Sequence, residues 1–207
     1  MKNTQQKTNS GFTLVELIIT IAITGIILTM AVPSMTSYFD KRRVIEAAED
    51  LYAAVQMARS EAIARNTTIR VRFNSTGGTW QYGISQNDLC NLAKNDPTEA
   101  NANACVLVVN DGDGTIDTGN AVDDPDDLIL HRYTNDDYTG ISMTLNTMPT
   151  NNQINFDPVR GMADNTTVTL QSAQGFQVRL MVGVLGQIRL CSPAGNGHVT
   201  AYSSDAC

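Results

Sequence analysis

Basic residues are scarce in this chain. Lysine and arginine number 14 against 21 acids, which leaves a formal charge of −7 and a pI near 4.7. Such a balance argues against general nucleic-acid binding, although a local basic patch could still hold phosphate. Histidine is rarer still: His131 and His198 are the only two. No HExxH, GxSxG, Walker or dinucleotide fingerprint occurs, so no catalytic constellation is legible and the expectation is a non-enzyme without cofactors. There is no internal repeat and no low-complexity linker. Cysteine is limited to Cys90, Cys105, Cys191 and Cys207, with no CxxC spacing and no nearby histidine pair, which argues against zinc.

The remaining composition is that of a folded protein. Apolar residues make up 42% and charged residues 17% of 207, enough for one medium domain and something more. The cysteines fall into two local pairs. Three connectivities are possible, and local pairing is the favoured one; each such closure stabilises by about 3 kcal/mol. Four buried thiols are the alternative. Oxidation requires an exported domain.

A second absence points to export. From Leu17 to Phe39 no side chain carries a formal charge. As a helix, Phe12 to Pro33 would span about 33 Å, the thickness of a bilayer core. Residues 1–11 are polar, with Lys2 and Lys7 and no acid, so the N-terminus is expected to stay cytoplasmic. A cleaved signal peptide has a shorter apolar region ending in a small-residue cleavage site. A plain anchor would not carry Glu16, because a carboxylate there costs about 2.5–3.5 kcal/mol on insertion scales.

The stretch GFTLVELIITIAITGIILTMAVP, residues 11–33, resembles the prepilin signature of type IV pilins and pseudopilins. The resemblance implies cleavage by a prepilin peptidase between Gly11 and Phe12 and N-methylation of Phe12. It implies that Glu16, at the fifth mature position, neutralises a neighbouring subunit's amine during assembly. Pro33 stands where pilins commonly carry a proline; it removes one backbone donor and permits a kink.

Residues 40–65 continue as an amphipathic helix expected to end near Asn66, with Val44, Ala48, Leu51, Tyr52, Val55, Ala58 and Ala62 at helical spacing. Three strict heptads are lacking, so a coiled-coil seam is not the reading. The wording AAVQMARSEAIARNTTIRV resembles the GspH/FimT branch of pilin-like proteins, which includes the secretion pseudopilin H and the minor pilins FimT and FimU. Three later stretches resemble that branch too: CVLVVNDGDGTIDTGNAVDDPDDLILHRY, NFDPVRGMA and LMVGVLGQIRLCSP.

The pattern predicts strands at 69–73, 80–84, 105–109, 128–133, 141–145, 153–156, 176–182 and 187–191, the last two forming a hairpin through Gly183 to Gly186. The expected fold is α+β and pilin-like, a long N-terminal helix packed on a mostly antiparallel sheet. The expected organisation is a leader at 1–11, a membrane-spanning and filament-core helix at 12–39, an amphipathic continuation at 40–66 and a periplasmic β-rich domain at 67–207. That is a single-pass protein of the bacterial inner membrane, with incorporation into a pilus or pseudopilus.

Two candidate sites remain. Asp111, Asp113 and Asp117 have calcium-like spacing, but an EF-hand loop needs glycine sixth and an acid twelfth, where Ile116 and Val122 stand. A solvated, turn-rich loop is favoured over a nonstandard calcium site. Some FimT proteins bind DNA through a Gly-Arg-x-Arg motif, and the matching residues are Gly186, Gln187, Ile188 and Arg189. Gln187 replaces the first arginine and removes a phosphate contact. Arg160, Arg179, Arg189 and His198 could complete a small patch for double-stranded DNA; outward residues on a solvated hairpin are the plainer reading. The resemblance implies a minor pilin or pseudopilin that primes or caps a type IV pilus or type II secretion pseudopilus. Its partners would be other minor subunits, the major subunit, the prepilin peptidase and the inner membrane. A DNA-binding minor pilin for natural transformation is the alternative.

Overall fold

The computed structural model describes residues 12–95, 103–109, 128–205 and 207, with the side chains of 30, 31, 33 and 34 outside the description. The chain divides into two compact units, Met1–Phe39 and Asp40–Cys207. One helix, α1, runs Leu14–Arg65 and contributes to both. It is assigned as helix through Pro33.

Within the first unit the described helical side chains are exposed, apart from half-buried Ser37. Leu14, Leu17, Ile18, Ile21, Ile23, Ile26 and Ile27 are all more than half accessible. These positions fall on every side of a 3.6-residue helix, so this stretch has no buried stripe of its own. Among the described residues, no helix is long and apolar enough to cross a membrane. The continuous stretch with described side chains ends at Thr29.

The second unit is α+β. The helix buries Val44, Ala47, Ala48, Leu51, Ala54, Val55, Ala58 and Ala62 in the main core. The small alanines let the helix axis approach the sheets closely. Tyr52 packs beside them, partly buried. Past Arg65 the chain turns at Asn66, whose φ of 50° is left-handed, while the Thr67 N–H donates to the Ala62 carbonyl at 3.2 Å. Asparagine tolerates that conformation and closes the helix.

The first sheet holds β1 (Ile69–Thr76), β2 (Thr79–Ser85), β5 (Arg132–Thr134) and β7 (Gln153–Phe156), in the order β5-β2-β1-β7. The second holds β6 (Ile141–Thr147), β8 (Thr166–Ser172), β9 (Gln177–Val182) and β10 (Ile188–Cys191), in the order β10-β9-β8-β6. Every pairing is antiparallel. A small hairpin pairs β3 (Val106–Val108) with β4 (Leu128–Leu130). Period-two alternation sends Ile69, Val71 and Phe73 into the core and leaves Arg70 and Arg72 half-buried on the other face. The buried Trp80 indole donates to the Ile141 carbonyl at 2.9 Å, and the Ser75 hydroxyl to that of Met143 at 2.6 Å. These two bonds tie the first sheet to β6 of the second.

Two elements differ from the sequence expectation. The strand β8 is absent from it, although Thr-Thr-Val-Thr-Leu-Gln-Ser alternates and buries Val168 and Leu170. Its apolar content is low and its β propensity is carried by threonines, which hide it from a search for apolar runs. The expected strand at 128–133 is two strands. At the break, the His131 N–H donates to the Cys105 carbonyl and its own carbonyl accepts from Ile84 N–H, at 2.8 and 2.9 Å. The backbone thus passes from β4 of the small hairpin to β5 of the first sheet.

Both disulfides are local, Cys90–Cys105 and Cys191–Cys207, separated by 15 and 16 residues.

Candidate functional site

Two places collect the residues singled out in the sequence. The first is the start of α1. Gly11 lies outside the described residues. Phe12 is exposed. The Glu16 carboxylate accepts from the Thr13 N–H at 2.9 Å and from the Thr13 hydroxyl at 2.8 Å, and that hydroxyl accepts from the Glu16 N–H at 3.2 Å. This reciprocal pair is a capping box: it satisfies two of the N–H groups that a helix start leaves open. The sequence reading missed this role, although Thr-x-x-Glu before an apolar run is its signature. Glu16 therefore has a local helix-starting function in addition to any assembly function, and its charge sits at the positive end of the helix dipole.

The second place is the β9–β10 hairpin and what it touches. Its turn is closed by Gly183 N–H to the Gln187 carbonyl and Gly186 N–H to the Gly183 carbonyl, both at 2.8 Å. Gly186 has a φ of +72°, and a Cβ there would lie 1.9 Å from the Gly161 carbonyl oxygen. Gly161 has a φ of +60°, and its carbonyl accepts from Arg59 Nε at 3.3 Å. Three stretches that carry the family resemblance, around Arg59, Gly161 and Gly186, thus meet at one point. Glycine is required there because one backbone lies directly on another.

Of the four DNA candidates, Arg160 and Gln187 adjoin this junction, and Arg179 and Arg189 lie on the strands of the hairpin. Arg160 precedes Gly161 and is exposed; Gln187 follows Gly186 and is exposed. Arg189 is exposed and lines, with Asn165, Met181 and Gln187, a shallow recess of about 90 Å³. Arg189 pairs with Met181 and Cys191 pairs with Arg179, so Arg179 and Arg189 are diagonal neighbours on one face of the sheet. Such neighbours sit about 7–8 Å apart. Arg179 is only half-exposed, and its guanidinium reaches the Cys207 main-chain oxygen at 3.5 Å, beside the disulfide. His198 is held by Nδ1 at 3.2 Å from the Ser192 carbonyl.

Elsewhere the cations serve backbone carbonyls. Arg70 donates to Gln86, Arg72 to Leu89 and Cys90, Arg132 to Leu92, and Arg65 to Val108. Together they hold the chain on either side of the Cys90–Cys105 disulfide against the first sheet and the helix end. Charge-assisted bonds of this kind are stronger than neutral ones. Asp111, Asp113 and Asp117 lie outside the described residues, and among the described residues no cluster could hold a metal ion. His131 is half-buried, and burial pushes its pKa down, opposed by Glu61 and assisted by Arg65.

On the helix, polar side chains secure the domain. Asp50 accepts from the Tyr138 hydroxyl and Glu49 from the Tyr202 hydroxyl, the latter at 3.1 Å. Buried Asp40 accepts from the Gln174 N–H at 3.0 Å. Burial first, and then the neighbouring carboxylates, push the Tyr138 phenol above its ordinary range; Tyr202 is pushed up to about 12 by burial and by Glu49.

The family model described as type II transport protein GspH matches residues 47–187, and the prokaryotic N-terminal methylation motif matches residues 6–32. The chain belongs to the GspH family. No curated protein matches it at a significant level. Two solved structures are similar in part. The minor pseudopilin EpsH of the Vibrio cholerae type 2 secretion system shares 13% identity at a TM-score of 0.44, covering 74% of this chain and 99% of that one. The type IV minor pilin FimU of Pseudomonas aeruginosa PAO1 shares 17% identity at a TM-score of 0.41, covering 72% and 97%. Likeness of that size carries no argument about function. Membership of the GspH family, with the methylation motif ahead of it, gives the chain a structural role in a type II secretion or type IV pilus system.

Proposed function

We propose that this GspH-family chain is a minor pseudopilin or pilin that helps prime or cap a filament. A prepilin peptidase removes residues 1–11, Phe12 becomes the methylated N-terminus, and residues 12–39 serve as anchor in the inner membrane and then as filament core. The domain from residue 40 onward faces the periplasm, where its disulfides can form.

The observation that carries this reading is the exposed apolar half of α1. The described large apolar side chains from Leu14 to Phe39 are open on all sides of one helix. Water cannot be the resting environment of such a surface; lipid or the helices of other subunits must cover it. Glu16 supports the second cover, since a carboxylate in lipid is costly unless paired. Its capping bonds to Thr13 keep it oriented at the helix start, beside the place where cleavage would create a free amine.

Mass spectrometry of the chain from membranes tests the processing step. The expected N-terminus is N-methylated Phe12. A chain that retains residues 1–11 in cells with an active prepilin peptidase contradicts the reading.

The second reading, DNA capture for transformation, draws support from Arg160 and Arg189, which are exposed and make no ion pair among the described residues. It is the weaker one, because Gln187 is neutral and Arg179 is engaged at Cys207. A salt series on the full chain tests it: binding of double-stranded DNA that falls steeply with salt supports uptake.

A further inference from the structure

We infer that the Arg59–Gly161–Gly186 junction is a docking surface for another subunit of the same filament, one that presents apolar side chains flanked by carboxylates. The inference rests on the filament reading above and adds a place on the domain and the chemistry of the partner.

Four large apolar side chains gather at this junction and are open to solvent. Ile63 is 50% exposed, Val159 79%, Val184 54% and Leu185 66%. They come from three separate segments: the end of α1, the loop after β7 and the β9–β10 turn. The close packing of Gly186 on Gly161 brings those segments together, and a Cβ on Gly161 would lie 3.1 Å from Ile63 Cδ1. The Ala163 N–H donates to the Val184 carbonyl at 3.1 Å, which fixes the turn against the loop. The cluster is therefore built on a rigid contact between backbones. Scattered single apolar residues need no explanation, but a gathered set rimmed by polar groups marks an interaction site.

The rim is basic although the chain is acidic. Arg160 and Arg189 are exposed, Arg59 is half-buried, and none of the three makes an ion pair among the described residues. Of the acids near these segments, Glu61 is paired with Arg65, and Asp157 has an oxygen already accepting from the N–H groups of Val159 and Arg160, at 3.0 and 2.8 Å. Asp164 accepts from Asn155. Carboxylates on a partner would complement this rim. Two copies docking patch to patch about a two-fold axis would set arginine against arginine, which disfavours a symmetric homodimer.

The test uses the full chain with a photoreactive benzoylphenylalanine at Leu185 or Val159, produced in cells with its companion subunits. The same residue at Ile19 reports on helix packing in the filament. The expected result is an adduct from 185 and 159 with one companion subunit, identified by mass, and its loss in Arg160→Glu/Arg189→Glu. Adducts from Ile19 alone overturn the docking surface and leave the filament reading standing. No adduct from any of the three positions overturns both. An adduct with a second copy of this chain overturns the choice of partner. Salt-sensitive retention of double-stranded DNA, lost in the same arginine variant and without adducts at 185 or 159, assigns the arginines to DNA and overturns the proposal.

Discussion

The two halves of α1 have the same backbone and opposite needs. Residues 44–62 bury one stripe of Val, Leu and Ala against two sheets and turn Glu49 and Asp50 outward to tyrosine hydroxyls. Residues 14–29 bury nothing of their own and expose isoleucines and leucines all round. The difference teaches that the second half is completed by its own domain, whereas the described side chains of the first are left exposed. A helix cap, Thr13 with Glu16, starts the incomplete half; a left-handed Asn66 ends the complete one.

The comparison breaks most severely at the cleavage site. Gly11→Val is expected to block processing altogether, so that an unmethylated precursor accumulates on immunoblots while the domain stays folded. Survival of normal processing in that variant would remove the prepilin reading of the first half.

The domain half can be broken without touching the anchor. Gly186→Ala adds a Cβ 1.9 Å from the Gly161 carbonyl oxygen at a left-handed φ. We expect about 3 kcal/mol or more of destabilisation, read by denaturant unfolding, because both backbones must move. Cys191→Ser/Cys207→Ser is expected to cost about 2–4 kcal/mol by the same measurement. Neither variant should alter N-terminal processing. Altered processing in either would mean that the anchor half depends on the fold of the domain.

A smaller effect sharpens the account of how the helix is held. Tyr202→Phe removes the bond to Glu49 and is expected to cost about 1 kcal/mol. It also has a pH signature. The folded phenol is raised to about 12 from an ordinary value of 10.0, so folding favours its protonated form. That contribution is complete below pH 10 and is lost as pH rises towards 12. Unfolding followed between those values should slope less steeply in the phenylalanine variant, with Tyr138 contributing to the slope that remains.

Much of this was legible beforehand. The helical stripe of Val44, Ala48, Leu51, Val55, Ala58 and Ala62 follows from spacing alone, and the strand expected at Gln153–Phe156 has those bounds. Local pairing of the cysteines is the favoured one of three connectivities, and both local disulfides are present. The role of Glu16 was visible only in part. Thr13, three residues before Glu16, completes a Thr-x-x-Glu capping pattern that is itself legible in the sequence. The arginines show the deeper limit. In sequence, Arg70, Arg72 and Arg132 look as available as Arg160 and Arg189. Tertiary structure alone shows that the first three donate to loop carbonyls, because those carbonyls lie far from them along the chain or across a turn. Likewise the junction of Arg59, Gly161 and Gly186 joins residues that no local pattern connects.

The most direct test of the central claim is incorporation into filaments. Full chain carrying Glu16→Ala and the wild-type chain should be produced at equal levels with their companion subunits, and sheared filament and membrane fractions compared. The account predicts wild-type chain in the filament fraction, and the variant processed, folded and left in the membrane. A variant that enters filaments as well as wild type, or a processed wild-type chain that never leaves the membrane fraction, would contradict it.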